Sequence, residues 1–247
     1  MDILKRSLAP LTDEAWQEID ETARAVLVNN LSARKVVDVD GPKGWDFGAI
    51  PLGRLDIPKG QSNKQVQFGT FSMLPLTEVR VPFKLNIWEI DNLIRGARDV
   101  DLDSLEKAAE NTAKFEEQAI YYGFKQGRIQ GLKEASENEP LSLPKDAKEA
   151  LAVVTRGIRV LEDASIGGPY TLVVNPKKWQ QISSYTGGYP VRRQLEEILG
   201  GQIVLSPQVD DVFLVSQRGE DFQLTLGADL SIWISFTRQQ RSRVVLH

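Results

Sequence analysis

The sequence predicts an α+β protein, and three observations carry the prediction. Apolar residues recur at spacings of three and four after Thr12 and again after Asp103, the pattern of a helix with one apolar face. Between Val79 and Ile87 apolar and polar residues alternate strictly, the pattern of a half-buried strand. Beyond Glu134 helical and strand-like segments follow each other in turn, as in a compact α/β unit.

Pro10-Leu11-Thr12-Asp13-Glu14 opens the first helix, because Thr12 suits an N-cap and acids favour the positive end of a helix dipole. Trp16, Ile19, Ala23, Val26, Leu27 and Leu31 form its apolar face. A short strand follows at 36–39, closed by Gly41-Pro42-Lys43-Gly44. Over 52–77 the pattern collapses under repeated Gly and Pro, and 59–64 is a turn by composition. Around that turn 54–57 and 65–68 alternate weakly. The segment reads either as a two-stranded arm or as an irregular loop; an arm must lie against something, since an isolated hairpin is marginal in water.

Val79, Val81, Phe83, Leu85 and Ile87 then line one side of a strand, and Pro82 argues for a sheet edge or an irregular pairing. Asp103-Ser104-Leu105-Glu106 reads as a capping box opening a long helix to about Phe124. Its inner face, Leu105, Ala108, Ala109, Thr112, Ala113, Ala119 and Ile120, is mostly small and lets another backbone approach, which makes this helix a spine. Gly123, Gly127 and Gly131 break the chain, and a polar linker at 134–143 leads to a helix from Pro144. A strand at 170–174, short helices after Pro176 and at 191–199, and strands near 202–205, 212–216 and 222–226 complete the reading.

Composition narrows the function. The chain has 247 residues, enough for one large domain or two modest ones. A formal net charge of −4 without a basic stripe argues against a nucleic-acid partner. Cysteine is absent, which removes disulfides, thiolate metal sites and a Cys nucleophile. The one histidine is His247, the last residue, a poor place for a triad, a zinc site or a di-iron site. Neither a metal nor another cofactor is expected. No apolar run approaches the ~18–20 residues that span a bilayer, and 1–6 lacks the order of a signal peptide. A cytoplasmic protein without a membrane partner is expected.

Few residues suggest chemistry. Glu106 with Glu110, and Glu116 with Glu117, are carboxylate pairs that suit either acid–base work or a solvated or intersubunit face. Gly167-Gly168-Pro169-Tyr170 precedes a strand, the wrong order for a phosphate loop. Trp88, on the polar side of the alternating strand, reads as a stacking or interface residue or as simple packing.

Several separated phrases resemble the encapsulins, once described as linocin-type bacteriocins. They are 1–12, Ala33-Arg34-Lys35-Val36-Val37-Asp38-Val39-Asp40-Gly41-Pro42-Lys43-Gly44-Trp45, Asn86-Ile87-Trp88-Glu89-Ile90-Asp91-Asn92, 168–174, 188–190 and Leu226-Gly227-Ala228-Asp229-Leu230-Ser231-Ile232. The resemblance implies a tailed-phage major-capsid-like fold, with a peripheral domain at 1–46, 81–134 and 225–247, an extended loop at 47–80 and an axial domain at 135–224. It implies a non-enzymatic subunit of an icosahedral shell of 60 copies, enclosing a ferritin-like protein or a dye-decolorising peroxidase. Cargo is held by a C-terminal targeting peptide, and the matching docking positions are Arg34, Asp38, Asp229, Leu230 and Ile232. The loop Tyr185, Thr186, Gly187, Gly188 and Tyr189 matches an axial pore. A viral capsid subunit of the same fold is the alternative, and a bacteriocin or protease a more distant one. One departure stands out. Where the family continues with Gly-Tyr, a strand containing Phe-Thr-Phe and a Pro-Glu-Ala ending, residues 233–247 are shorter and basic, as a truncation or a frame change would leave them. The expectation is a peripheral sheet lacking a strand, with only 244–246 able to substitute.

Overall fold

The structure, a computed structural model, describes residues 3–61, 65–144, 146–183, 190–237 and 241–246. Helix α1 (Asp13–Asn30) begins where Thr12 accepts a hydrogen bond from the Ala15 N–H at 3.3 Å. After it come β1 (Asp38–Asp40), β2 (Ala49–Asp56), β3 (Thr70–Pro75), β4 (Val81–Phe83), α2 (Ile87–Ile94) and the spine α3 (Asp103–Tyr122). Ala15, Trp16, Ile19 and Ala23 of α1 pack on Leu105, Ala108 and Ala109 of α3. Alanines at the contact allow the close approach expected of the spine, since side-chain size sets how near two helices come.

Two local readings need correction. The alternation that suggested a strand from Val79 through Ile87 forms one only at Val81–Phe83, and the Asn86 side chain accepts from the Trp88 N–H and caps α2 instead. A satisfied helix start outweighs one more residue of alternation. Trp88 therefore stands on a helix, 69% exposed. The capping box at Asp103 is also absent. Leu102 is the N-cap, without a side-chain cap bond, and the Ser104 hydroxyl donates to the Lys84 carbonyl at 2.6 Å.

The chain continues with α4 (Leu132–Ala135), α5 (Ala147–Asp163), β5 (Tyr170–Val174), α6 (Pro176–Ser183), α7 (Val191–Leu199), β6 (Ile203–Leu205) and β7 (Phe213–Ser216). The last three strands form one sheet in the order β6-β5-β7, parallel on one side of β5 and antiparallel on the other. Every residue of β5 is buried. Leu172 and Val174 face Val154, Leu195 and Leu199 of the helices, while Val173 faces the other way. There it meets Val204 and Val215 together with Ala33, Val36, Ile120 and Tyr121. This second layer fastens the end of the spine to the strand unit.

Strands β8 (Gln223–Thr225), β9 (Ile232–Thr237) and β10 (Arg241–Leu246) end the chain. β8 pairs in parallel with β1. Gly41, just past β1, has φ +140° and lies so close to Leu226 that a Cβ would stand 2.5 Å from its carbonyl oxygen. Of the two outcomes expected for the tail, a missing strand or a substitute at 244–246, the structure has the substitute, within a longer strand. β10 is the middle strand of a three-stranded sheet, paired with β9 from Arg241 to Leu246 and with β4 from Val244 to Leu246. Its basic, weakly patterned sequence pairs because both neighbours offer open backbone groups. β4 keeps the edge, one of the two places that suit Pro82.

The arm is a hairpin of β2 and β3, with a register shift between Pro51 and Leu55. Residues 65–68 lie outside its strands. Gln61 does their work at the tip: its side-chain amide donates to the Pro58 and Phe68 carbonyls at 3.1 and 2.8 Å and accepts from the Phe68 N–H at 2.9 Å. Leu52, Leu55, Phe71 and Met73 are about half exposed or more. The hairpin holds its shape without burying a core.

Candidate functional site

The turn after α1 carries the first of the candidate docking residues. A 3-10 turn at Ala33–Lys35 is tied down by Ala33, whose carbonyl accepts from the Val36 and Val37 N–H groups at 2.8 and 3.0 Å. Ala33 is fully buried, and the Arg34 side chain next to it keeps 19% of its surface exposed. Its guanidinium meets Glu116 of the spine in a two-pronged pair, Nε–Oε1 2.6 Å and Nη2–Oε2 2.8 Å. The free edge reaches Asp229, Nη1–Oδ1 2.9 Å. Its hydrogen bonds to the Glu116 carboxylate chiefly hold the Arg34 pKa above its ordinary value, against the opposing effect of burial. A planar guanidinium held by two carboxylates is fixed in orientation as well as place.

Asp229 lies before β9 and accepts from the Leu230 N–H at 2.8 Å, placing the half-buried Leu230 beside the Arg34 cluster. Asp38 lies on β1, accepts from the Glu220 N–H at 2.6 Å, and is exposed. The recess it borders, with Val36, Ser216, Gln217, Gly219 and Phe222, holds about 20 Å³, room for one water and not for a side chain. Ile232 is elsewhere in character. It is 2% exposed and packs in the core with Trp16 and Ile19, so it presents no surface to a partner. The expected pore residues Tyr185, Thr186, Gly187, Gly188 and Tyr189 lie outside the described residues.

A residue missed as a structural element is Glu117, fully buried one position beyond Glu116. The signal was present: Glu117 falls four residues after Ala113 and three before Ile120, on the apolar face of the spine. Glu106 and Glu110 are exposed, as a solvated face requires. Among the described residues no group of His, Cys, Asp and Glu is placed to hold a metal ion. No described helix is long and apolar enough to cross a membrane.

The fold has a solved counterpart. A virus-like particle protein from Pyrococcus furiosus superposes with a TM-score of 0.65 at 17% identity, covering 93% of this chain and 91% of that one. The architecture is thus that of proteins that build capsid-like cages. A family described as "Encapsulating protein for peroxidase" matches residues 1–247. The type 1 encapsulin shell protein of Rhodospirillum rubrum is 41% identical over 239 residues, covering 94% of this chain and 85% of the relative. That of Mycolicibacterium paratuberculosis is 38% identical over 233 residues, covering 94% and 88%. The chain belongs to the encapsulin shell proteins, structural subunits rather than enzymes.

Proposed function

We propose that copies of this chain close into an icosahedral shell of 60 subunits in the cytoplasm, and that its wall captures a cargo enzyme by that enzyme's C-terminal peptide. The arm at 47–80 is the intersubunit element and 135–224 the axial unit. The exposed apolar row on the arm supports assembly, because it has no partner within the chain's own core. The observation that carries the docking reading is the Arg34 cluster: a cation locked between Glu116 and Asp229 beside the half-buried Leu230. Such a site offers a fixed polar contact and an adjacent apolar surface to an extended peptide. Asp38 adds a third carboxylate four residues along from Arg34; Ile232 supports the site from the core. A ferritin-like protein or a dye-decolorising peroxidase is the expected cargo.

Purified particles, viewed by electron microscopy and analysed by mass spectrometry for copurifying proteins, test both parts. Burying a leucine is worth ~1.5–3 kcal/mol, so Leu230→Asp should weaken capture of the copurifying enzyme by about tenfold or more while particles still form. Equal loading in wild-type and Leu230→Asp shells would show that docking lies elsewhere. Nucleic acid inside the particles, with no protein cargo, would favour a viral role.

A further inference from the structure

Glu117 is fully buried, and among the described residues no cation is paired with it: Arg34 pairs with Glu116 and Asp229 instead. Three donors converge on its carboxyl. The Ala33 N–H reaches Oε1 at 2.7 Å, the Ser206 hydroxyl reaches Oε2 at 3.0 Å, and the Ser32 hydroxyl makes a short bond to the same Oε2. Ser32 Oγ also lies 3.1 Å from the Tyr121 hydroxyl. One side chain thus joins three pieces of chain: the spine, the turn after α1, and the residue that follows β6.

We propose that Glu117 is the positioning residue of Arg34: its carboxyl clamps the turn at 32–35 to the spine and to Ser206, and so fixes where the guanidinium stands. The inference rests on the reading of Arg34 as a docking residue. Ala33 is the pivot, since its N–H is held by Glu117 and its carbonyl holds Val36 and Val37. Arg34 follows directly, and any shift of that peptide moves its side chain off both Glu116 and Asp229. An apolar side chain in place of Glu117 would fill the space but leave the Ala33 N–H and the Ser206 hydroxyl without an acceptor.

The clamp is also sensitive to protons. Burial pushes the Glu117 carboxyl above its ordinary range, with the Glu116 charge acting in the same direction and the three hydrogen bonds opposing. The titratable and charged groups about it are Glu116 and Tyr121 on its own helix and Arg34 on the turn. The strand unit contributes the uncharged Ser206. A carboxyl with a raised pKa favours the folded state fully below its unfolded pKa, and that contribution is lost as pH rises through the folded value. Glutamine mimics the protonated form. Its amide oxygen can accept from Ala33, and its two amide hydrogens face the oxygens of Ser32 and Ser206.

The test uses assembled shells of the wild type, Glu117→Gln, Glu117→Leu and Arg34→Ala. Hydrogen-exchange protection factors over 32–36 are measured from acid to neutral pH, with the Kd of a synthetic peptide copied from the C-terminus of the copurifying enzyme. Glu117→Gln should keep wild-type protection and affinity at acid pH and remove the wild type's pH dependence. Glu117→Leu should deprotect the turn and weaken the peptide about tenfold, as Arg34→Ala does without deprotection. If Arg34→Ala leaves Kd unchanged, the docking reading falls and the positioning role with it. If Arg34→Ala weakens binding while Glu117→Leu keeps wild-type protection and Kd, the positioning role alone is overturned. Should the leucine chain not assemble, the glutamine profile decides: a pH dependence identical to wild type overturns the proposal.

Discussion

Phe71 stands 71% exposed on the arm, so Phe71→Ser removes little from the fold of a single chain and much from the intersubunit contact proposed for the arm. Full burial of a phenylalanine is worth ~1.5–3 kcal/mol. With most of the ring still in solvent, about a third of that, roughly 0.5–1 kcal/mol, is realised within the chain. The remaining ~1–2 kcal/mol belongs to docking and corresponds to a contact roughly 5–30-fold weaker in the variant. On that proposal every subunit in a closed shell both gives and receives an arm, so the loss recurs at each joint and assembly shifts to higher protein concentration. Sedimentation velocity across a dilution series reads the particle fraction, and denaturant unfolding of the unassembled chain reads the fold. The expected result is an unfolding free energy within ~1 kcal/mol of wild type, with particles appearing only at about tenfold higher concentration or more. Wild-type particle yield at every dilution, or a chain destabilised by more than about 2 kcal/mol, would refute the separation of folding from assembly.

Val245 sits in the middle strand, opposite Pro82 on one side and Trp233 on the other. Val245→Pro removes an N–H from that ladder and should cost ~1–3 kcal/mol, seen as a lower thermal midpoint and fewer particles; an unchanged midpoint would mean that β10 contributes no stability. Ile19 is fully buried between α1 and the spine. Ile19→Ala should destabilise the chain by ~2–5 kcal/mol, whereas Val28→Ala, at a position 59% exposed on the same helix, should stay within ~0.5 kcal/mol in denaturant unfolding.

The helices of the core were legible because their patterns are long. Trp16, Ile19 and Ala23 follow one stripe, and the small face of the spine announces a close neighbour. Pro82 also gave a usable signal, since it lacks a donor and so suits an edge or an irregular pairing, and β4 takes the edge. Short elements were harder to read. Asn86 carries two signals at once, a place in the alternation and a cap, and the structure obeys the cap. β10 has no apolar period to detect, because its place comes from two partners distant in sequence. Glu117 was visible only as half of an acid pair; its position on the apolar face was the overlooked clue. The docking residues came from resemblance, not from period or spacing. The structure joins Arg34, Asp229 and Leu230 in one cluster, with Asp38 in an adjoining strand and Ile232 in the core.

Gln61 ties Pro58 to Phe68 across the arm before any neighbour arrives. Ordering a residue costs ~1–2 kcal/mol of backbone freedom, and residues already tied together leave less of that loss to the moment of contact. Geometry benefits as much as affinity. A head-to-tail contact closes into a ring or cage only when each joint repeats the same rotation, and otherwise runs on as an open polymer. A stiff lever transmits one angle. A slack one would permit many, and curvature, the property that distinguishes a compartment from a sheet, would wander from joint to joint.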